Sequence, residues 1–140
     1  MERNPSQAYL EQEILTADKM GLVVRVFDIG LQQVARARAA LSTRDLAAKG
    51  TAVRQASRCL ALLQSTLNMK EGGEVAVNLD RLYTYLLRRL TEGHLRNDDE
   101  AFAEIAAHLS ELGAAWREAA SRGAADPPQA SGGADASARR

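Results

Sequence analysis

Four consecutive segments repeat their apolar side chains every three or four positions, and almost no proline interrupts them. That spacing marks one face of an α-helix, and no strand-period segment competes with it. The first segment runs from about Asp18 to Leu41, with Val23, Val26, Gly30, Val34, Ala37 and Leu41 on one side. Thr16 is its expected N-cap, and Asp18 is favourable in its first turn. The second runs from about Thr43 to Leu67. Its stripe is Leu46, Lys49, Val53, Ala56, Leu60, Leu63 and Leu67, with one lysine among apolar residues. The third runs from about Gly73 to Leu95, with Val75, Leu79, Leu82, Leu86 and Leu90 on one face. The fourth runs from about Asp98 to Ala120 and aligns Phe102, Ile105, Leu109, Leu112 and Trp116. Asn97 followed by Glu100 resembles a capping box at its start.

Each segment of roughly 23 residues makes a helix about 35 Å long at about 1.5 Å per residue. The connectors Ser42-Thr43, Asn68 to Gly72 and Arg96-Asn97 are short, so sequential helices must be antiparallel neighbours. Four such helices bury their stripes together. The expected fold is therefore all-α, an antiparallel four-helix bundle forming one domain over residues 1–120. The segment through about Ile14 is polar, with Tyr9, Leu10 and Ile14 as its apolar points. Residues Ser121 to Arg140 contain no large apolar side chain and are rich in Ala, Gly, Ser and Pro, so a disordered tail is expected there.

Composition excludes several function classes. The 140 residues carry 18 basic and 18 acidic side chains. Residues 1–120 alone hold 15 basic and 16 acidic groups, so neutrality is not supplied by the tail. Such a chain has no global field for nucleic acid or an anionic membrane. One cysteine and two histidines are a poor metal inventory, and no cofactor is expected. No apolar run is long enough to span a bilayer. The start MERNPSQAYLEQE is too polar for a secretory signal, so a cytoplasmic protein is expected.

The search for chemistry yields little. Gly72-Gly73 lacks the lysine and hydroxyl residue of a phosphate-binding loop. His94 and His108 fall on different helices with no ligand-spaced partner, and no Glu-x-x-His pair suggests a di-iron bundle. Cys59 has no histidine near it in sequence and reads as a packed thiol. A phosphotransfer histidine on a bundle helix and a purely structural oligomerisation bundle remain as alternatives. Arg81, Arg88, Arg89 and Arg96 make the third helix basic, which fits a solvated face or a steering surface. The first and third helices hold more apolar residues than one stripe needs, including Phe27, Ile29, Tyr83, Tyr85 and Leu87. On periodicity alone this surplus fits an ordinary core and a groove for a partner helix equally well.

A set of motifs sharpens the choice. Tyr9-Leu10-Glu11-Gln12-Glu13-Ile14-Leu15-Thr16-Ala17, then Phe27-Asp28 with Gly30, open the pattern. Leu67-Asn68-Met69, Gly72-Gly73-Glu74-Val75-Ala76, Asn78-Leu79, Leu82-Tyr83-Thr84-Tyr85, Arg88-Arg89-Leu90, Asn97-Asp98 and Trp116 continue it. In order and spacing, from Tyr9 to Glu118, this resembles the flagellin-specific flagellar export chaperones, the FliS family. Ala17-Asp18-Lys19-Met20 departs from the family's proline-bearing helix start, and His94 stands where Asn is common. Gly21 and Gly93 each weaken a helix by up to about 1 kcal/mol.

The resemblance implies a non-enzymatic cytoplasmic chaperone. It implies binding of the C-terminal, filament-forming segment of flagellin, prevention of premature polymerisation, and delivery to an export-gate protein of the flagellar type III machinery. A homodimer is an option for the free chain. The family's N-terminal segment, residues 1–17 here, implies a cap and export-gate docking element carrying Tyr9, Leu10 and Ile14. Phe27 and Asp28 on the first helix, with Asn78, Leu82, Tyr83 and Leu86 on the third, match recurrent family positions and are the candidate client groove. For the apolar ones, plain core remains an equal reading.

Overall fold

A computed structural model describes residues 19–122. It consists of four helices: α1 (Lys19–Ser42), α2 (Leu46–Ser65), α3 (Gly73–Arg96) and α4 (Asp99–Ser121). Among the described residues there is no strand. The expected cap Thr16, the segment bearing Tyr9, Leu10 and Ile14, and all of the expected tail beyond Arg122 lie outside the described residues. Ser121 was assigned to that tail but is the last residue of α4.

The helices form a ring. α1 packs on α2 and α4, and α3 packs on α2 and α4, leaving α1–α3 and α2–α4 as diagonals. Two exposed ion pairs along one seam show the α1–α4 direction. Asp28, early in α1, meets Arg117, late in α4, at 2.7 Å. Arg38, late in α1, meets Asp99 at the start of α4 at 2.9 Å. All ring neighbours are therefore antiparallel, as the short connectors require.

The core follows most of the periodic stripes, with Leu41, Leu67, Val75 and Leu82 only half-buried at its margin. Val23, Val26, Val34 and Ala37 of α1 pack with Val53, Ala56, Leu60 and Leu63 of α2. Leu79, Leu86 and Leu90 of α3 join Phe102, Ile105, Leu109 and Leu112 of α4. Burying each such valine, leucine, isoleucine or phenylalanine contributes about 1.5–3 kcal/mol. Gly93 is not a helix-weakening accident. A Cβ there would sit 3.0 Å from both Ala101 Cβ and Phe102 Cε1, so its absence lets α3 close onto α4 beside their turn.

The two tightest connectors share one construction, and here the sequence reading is corrected. Arg44 (φ 61°) and Asn97 (φ 52°) both occupy the left-handed region. The next residue then donates its N–H back five positions, Asp45 to Ala40 O at 2.8 Å and Asp98 to Gly93 O at 3.0 Å. This closes the preceding helix in a Schellman-type turn. The same aspartate caps the following helix: Asp45 Oδ1 accepts from Ala48 N, and Asp98 Oδ1 accepts from Glu100 N. So Asn97 ends α3 instead of capping α4. α2 starts at Leu46, not Thr43, because the Arg44-Asp45 turn intervenes. Leu46, counted in the apolar stripe, is 57 % exposed because it sits in that first turn beyond the edge of α1 and α3 packing.

Lys49, the lysine in the α2 stripe, is only 3 % exposed. Its Nζ donates to the His94 carbonyl at 2.8 Å and to Asn97 Oδ1. A cation at the carbonyl end of α3 meets the negative end of the helix dipole, which compensates its burial.

Candidate functional site

Among the described residues, the end of the bundle opposite those turns is open. There the start of α1, the connector after α2, the start of α3 and the end of α4 converge on a pocket of about 210 Å³. Met20 and Val23 come from α1, Leu67 and Gly72 from the connector, Ala76 from α3 and Trp116 from α4. Small-molecule sites usually span about 300–1,000 Å³, so this volume suits one or two inserted side chains better than a cofactor. Nearby Met69 adds a further apolar surface, 47 % exposed.

The connector that walls this pocket is built tightly. Asn68 Oδ1 accepts from Glu71 N at 3.0 Å, and Asn68 O accepts from Gly72 N at 2.7 Å. A Cβ on Gly72 would lie 2.6 Å from Ala76 Cβ and 2.7 Å from Asn68 O, while Gly73 has φ 57°. Both positions therefore need glycine, which gives the Asn68 to Gly73 motif a structural cause. Trp116 is 9 % exposed, and its indole N–H is buried with no acceptor among the described residues. A buried donor left unpaired costs about 1–3 kcal/mol.

The six groove candidates do not gather in one place. Phe27, Tyr83 and Leu86 are fully inside the core. Burial pushes the Tyr83 phenol well above its usual range, as for a core tyrosine. Leu82 is half-buried, packed against the core from the α3 side, and Asn78 is exposed. Asp28 is exposed on α1, held by Arg117 across the α1–α4 seam. Since α1 and α3 are diagonal, Asp28 cannot share a groove with Asn78 and Leu82 on the outer surface. The residues that do converge, Met20, Leu67 and Trp116 above all, were not singled out for a groove. Their only signals were membership of motifs around Leu67-Asn68-Met69 and the late tryptophan.

Some polar groups on the outer faces pair across helices. Tyr85 donates to Glu104 Oε2 at 2.5 Å and Arg89 donates to Glu104 Oε1 at 2.8 Å. Those two donors hold the Glu104 carboxyl below its usual range. Gln64 reaches from α2 to Asp80 Oδ1 at 2.9 Å and Thr84 Oγ1 at 2.8 Å on α3.

The whole described chain matches a family model described as "Flagellar protein FliS", over residues 2–123. The chain belongs to the FliS family. Its relatives include the flagellar secretion chaperone FliS of Salmonella typhimurium, 35% identical over 114 residues, which covers 81% of this chain and 84% of that protein. The flagellar secretion chaperone FliSB of Pseudomonas aeruginosa is 33% identical over 110 residues, 79% of this chain and 87% of the relative. That of Bacillus subtilis is 26% identical over 117 residues, 84% of this chain and 86% of the relative.

Membership makes the chain a flagellar export chaperone, and FliS is not an enzyme family. Among the described residues no group of three or more His, Cys, Asp or Glu is placed to hold a metal. Half-burial pushes the Cys59 thiol up to about 11, which makes it a poor nucleophile. His94 lies in the last turn of α3, not mid-helix, with Nδ1 buried and unpaired. Burial, then Lys49 and Arg54, lower its pKa. Among the described residues no helix is long and apolar enough to cross a membrane.

Proposed function

We propose that this chain holds the C-terminal, filament-forming segment of flagellin in the cytoplasm and delivers it to the flagellar export gate. The pocket at the α1 start is the observation that carries this reading. It is partly open, sets apolar walls from Met20, Val23, Leu67 and Trp116 beside the polar Lys19, Thr66, Asn68 and Glu71, and is sized for side chains of an amphipathic helix. Trp116 lines it, and its indole N–H is buried with no acceptor among the described residues. The relatives named as flagellar secretion chaperones support a client of the flagellar export route.

Lys19, the first described residue, lines the same pocket. Ile14 is five residues upstream, at most about 17 Å away along an extended chain. Tyr9, Leu10 and Ile14 are therefore within reach of the pocket, and their proposed role is a cap that leaves when client arrives and then serves export-gate docking. Asn78 and Leu82 continue the proposed client contact along α3, and Asp28 offers a charged contact on the α1–α4 side. Phe27, Tyr83 and Leu86 act beneath, as the core that keeps these surfaces in place. Ordering an unfolded client costs free energy, so contact beyond one pocket is needed for useful affinity.

Trp116 is the only tryptophan in the chain and lines the pocket, so its emission is a direct test. Titration with a peptide of the flagellin C-terminal segment, itself free of tryptophan, is expected to change that emission saturably. Leu67→Asp is expected to weaken the response. Unchanged emission while calorimetry shows binding would place the client elsewhere.

A further inference from the structure

The chain's neutrality conceals an uneven distribution over the bundle. α2 carries Lys49, Arg54 and Arg58 and no carboxylate. α1 carries Lys19, Arg25, Arg36 and Arg38 against Asp28 alone. α4 reverses the sign, with five carboxylates against Arg117. α2 and α4 are diagonal, so the basic and acidic helices face opposite ways. Ion pairing does not cancel this. Asp28 and Arg38 are spent on the α1–α4 seam. Arg25, Arg36, Arg54 and Arg58 have no carboxylate in ion-pair range among the described residues.

Helical spacing gathers three of these arginines, Arg25, Arg36 and Arg58. Arg25, Ile29 and Arg36 lie along one line of α1, and Thr51, Arg58 and Leu62 along one line of α2, at steps of four and seven. Arg36 and Thr51 both border the shallow furrow between the two helices, so the two lines flank one seam. The furrow is lined by Ala39, Ala40, Ala48 and Ala52, together with Gln33, Thr43 and Asp45, whose carboxylate is engaged in capping α2 through Ala48 N.

We propose that this α1–α2 face docks an acidic amphipathic helix of a partner protein. Three features select that chemistry. The cations are all arginines, whose planar forks match carboxylates in pairs. The alanine-lined furrow accepts the side-chain ridge of a third helix. Ile29 and Leu62, half-buried on the same face, give apolar contact that a phosphate backbone or a hydrated lipid headgroup does not use. The carboxylates of α4 repel an acidic partner from the far side and so orient its approach. This surface is independent of the client pocket and stands whether or not that pocket binds flagellin.

The test is an amide chemical-shift titration of the full chain with a synthetic amphipathic peptide bearing glutamates on its polar face. The same peptide with lysines, a short DNA duplex and phosphatidylglycerol vesicles serve as parallel arms. Localised shifts at Arg25, Ile29, Arg36, Arg58 and Leu62 are expected with the glutamate peptide only. The Arg36→Glu/Arg58→Glu double variant, both positions exposed, is expected to weaken that binding about tenfold or more, as does raised salt. Arg36→Gln/Arg58→Gln, which introduces no new charge, is expected to show a smaller loss in the same direction. Equal binding of both peptides, shifts centred on other helices, or tighter capture of the duplex or the vesicles would each overturn the proposal.

Discussion

The Nζ of Lys49, near the start of α2, donates to the backbone carbonyl of His94 in the last turn of α3 at 2.8 Å. One buried lysine thus ties the α1–α2 turn to the α3–α4 turn, at the end of the bundle away from the pocket at the α1 start. A lysine in an apolar stripe looks like a defect in sequence. In the fold it donates to a last-turn carbonyl of α3 that has no helical donor and to the Asn97 amide oxygen.

Lys49→Met keeps the aliphatic volume and removes the donor. Loss of both hydrogen bonds is expected to cost about 1–3 kcal/mol. Lys49→Ala adds a cavity and is expected to cost more. The urea midpoint of each variant, at unchanged slope, checks the order: wild type above Met above Ala. A Met variant as stable as the wild type would remove the structural role.

His94 gives a pH dependence whose sign is fixed. Its folded pKa is lowered, first by burial and then by Lys49 and Arg54. The unfolded chain therefore binds the proton more readily, and stability falls as pH drops through the unfolded value near about 6.5. Stability should be flat above neutrality and decline toward pH 5.5, before the carboxylates titrate. His94→Asn should flatten that decline. Urea midpoints at several pH values for both proteins provide the comparison, and parallel curves would contradict the assignment.

Arg44 pays a backbone cost that its side chain does not recover. It holds φ 61° and forms no ion pair among the described residues. Arg44→Gly is expected to raise stability by about 0.5–1 kcal/mol, because glycine reaches that region without a Cβ clash. A thermal melt showing a lower midpoint would mean that the turn is held by contacts of the Arg44 stem.

Core and pocket variants should separate cleanly. Phe27→Ala and Tyr83→Ala are expected to cost about 3–5 kcal/mol, and Leu86→Ala about 2–5 kcal/mol. Any loss of client binding in them follows loss of the fold. Met20→Ser and Leu67→Asp touch the pocket from half-buried positions and are expected to keep the circular dichroism of the wild type while weakening flagellin. Normal binding by both pocket variants would move the site away from the α1 start.

Helix count, order and antiparallel packing were legible because period and connector length depend on the chain alone. The turns were less so. Asn97, Asp98 and Asp99 can all cap a helix, and only the left-handed backbone at Asn97 decides that Asp98 does. Likewise a three-four repeat cannot show that Leu46 falls outside the contact zone while Lys49, three residues on, falls inside. The groove candidates failed to converge for a chemical reason. Phe27, Tyr83 and Leu86 are equally suited to a core and to a client groove, and burial alone distinguishes the two. The pocket itself depends on four chain segments meeting, so no local pattern around Met20 or Trp116 could announce it.

The central claim is that the C-terminal segment of flagellin is what this chain holds. Calorimetric titration with full-length flagellin and with flagellin lacking that segment tests it most directly. A discrete one-to-one complex is predicted for the full-length protein, with affinity falling about a hundredfold or more on truncation, equivalent to about 2.7 kcal/mol. Equal affinity for the two flagellins would contradict it.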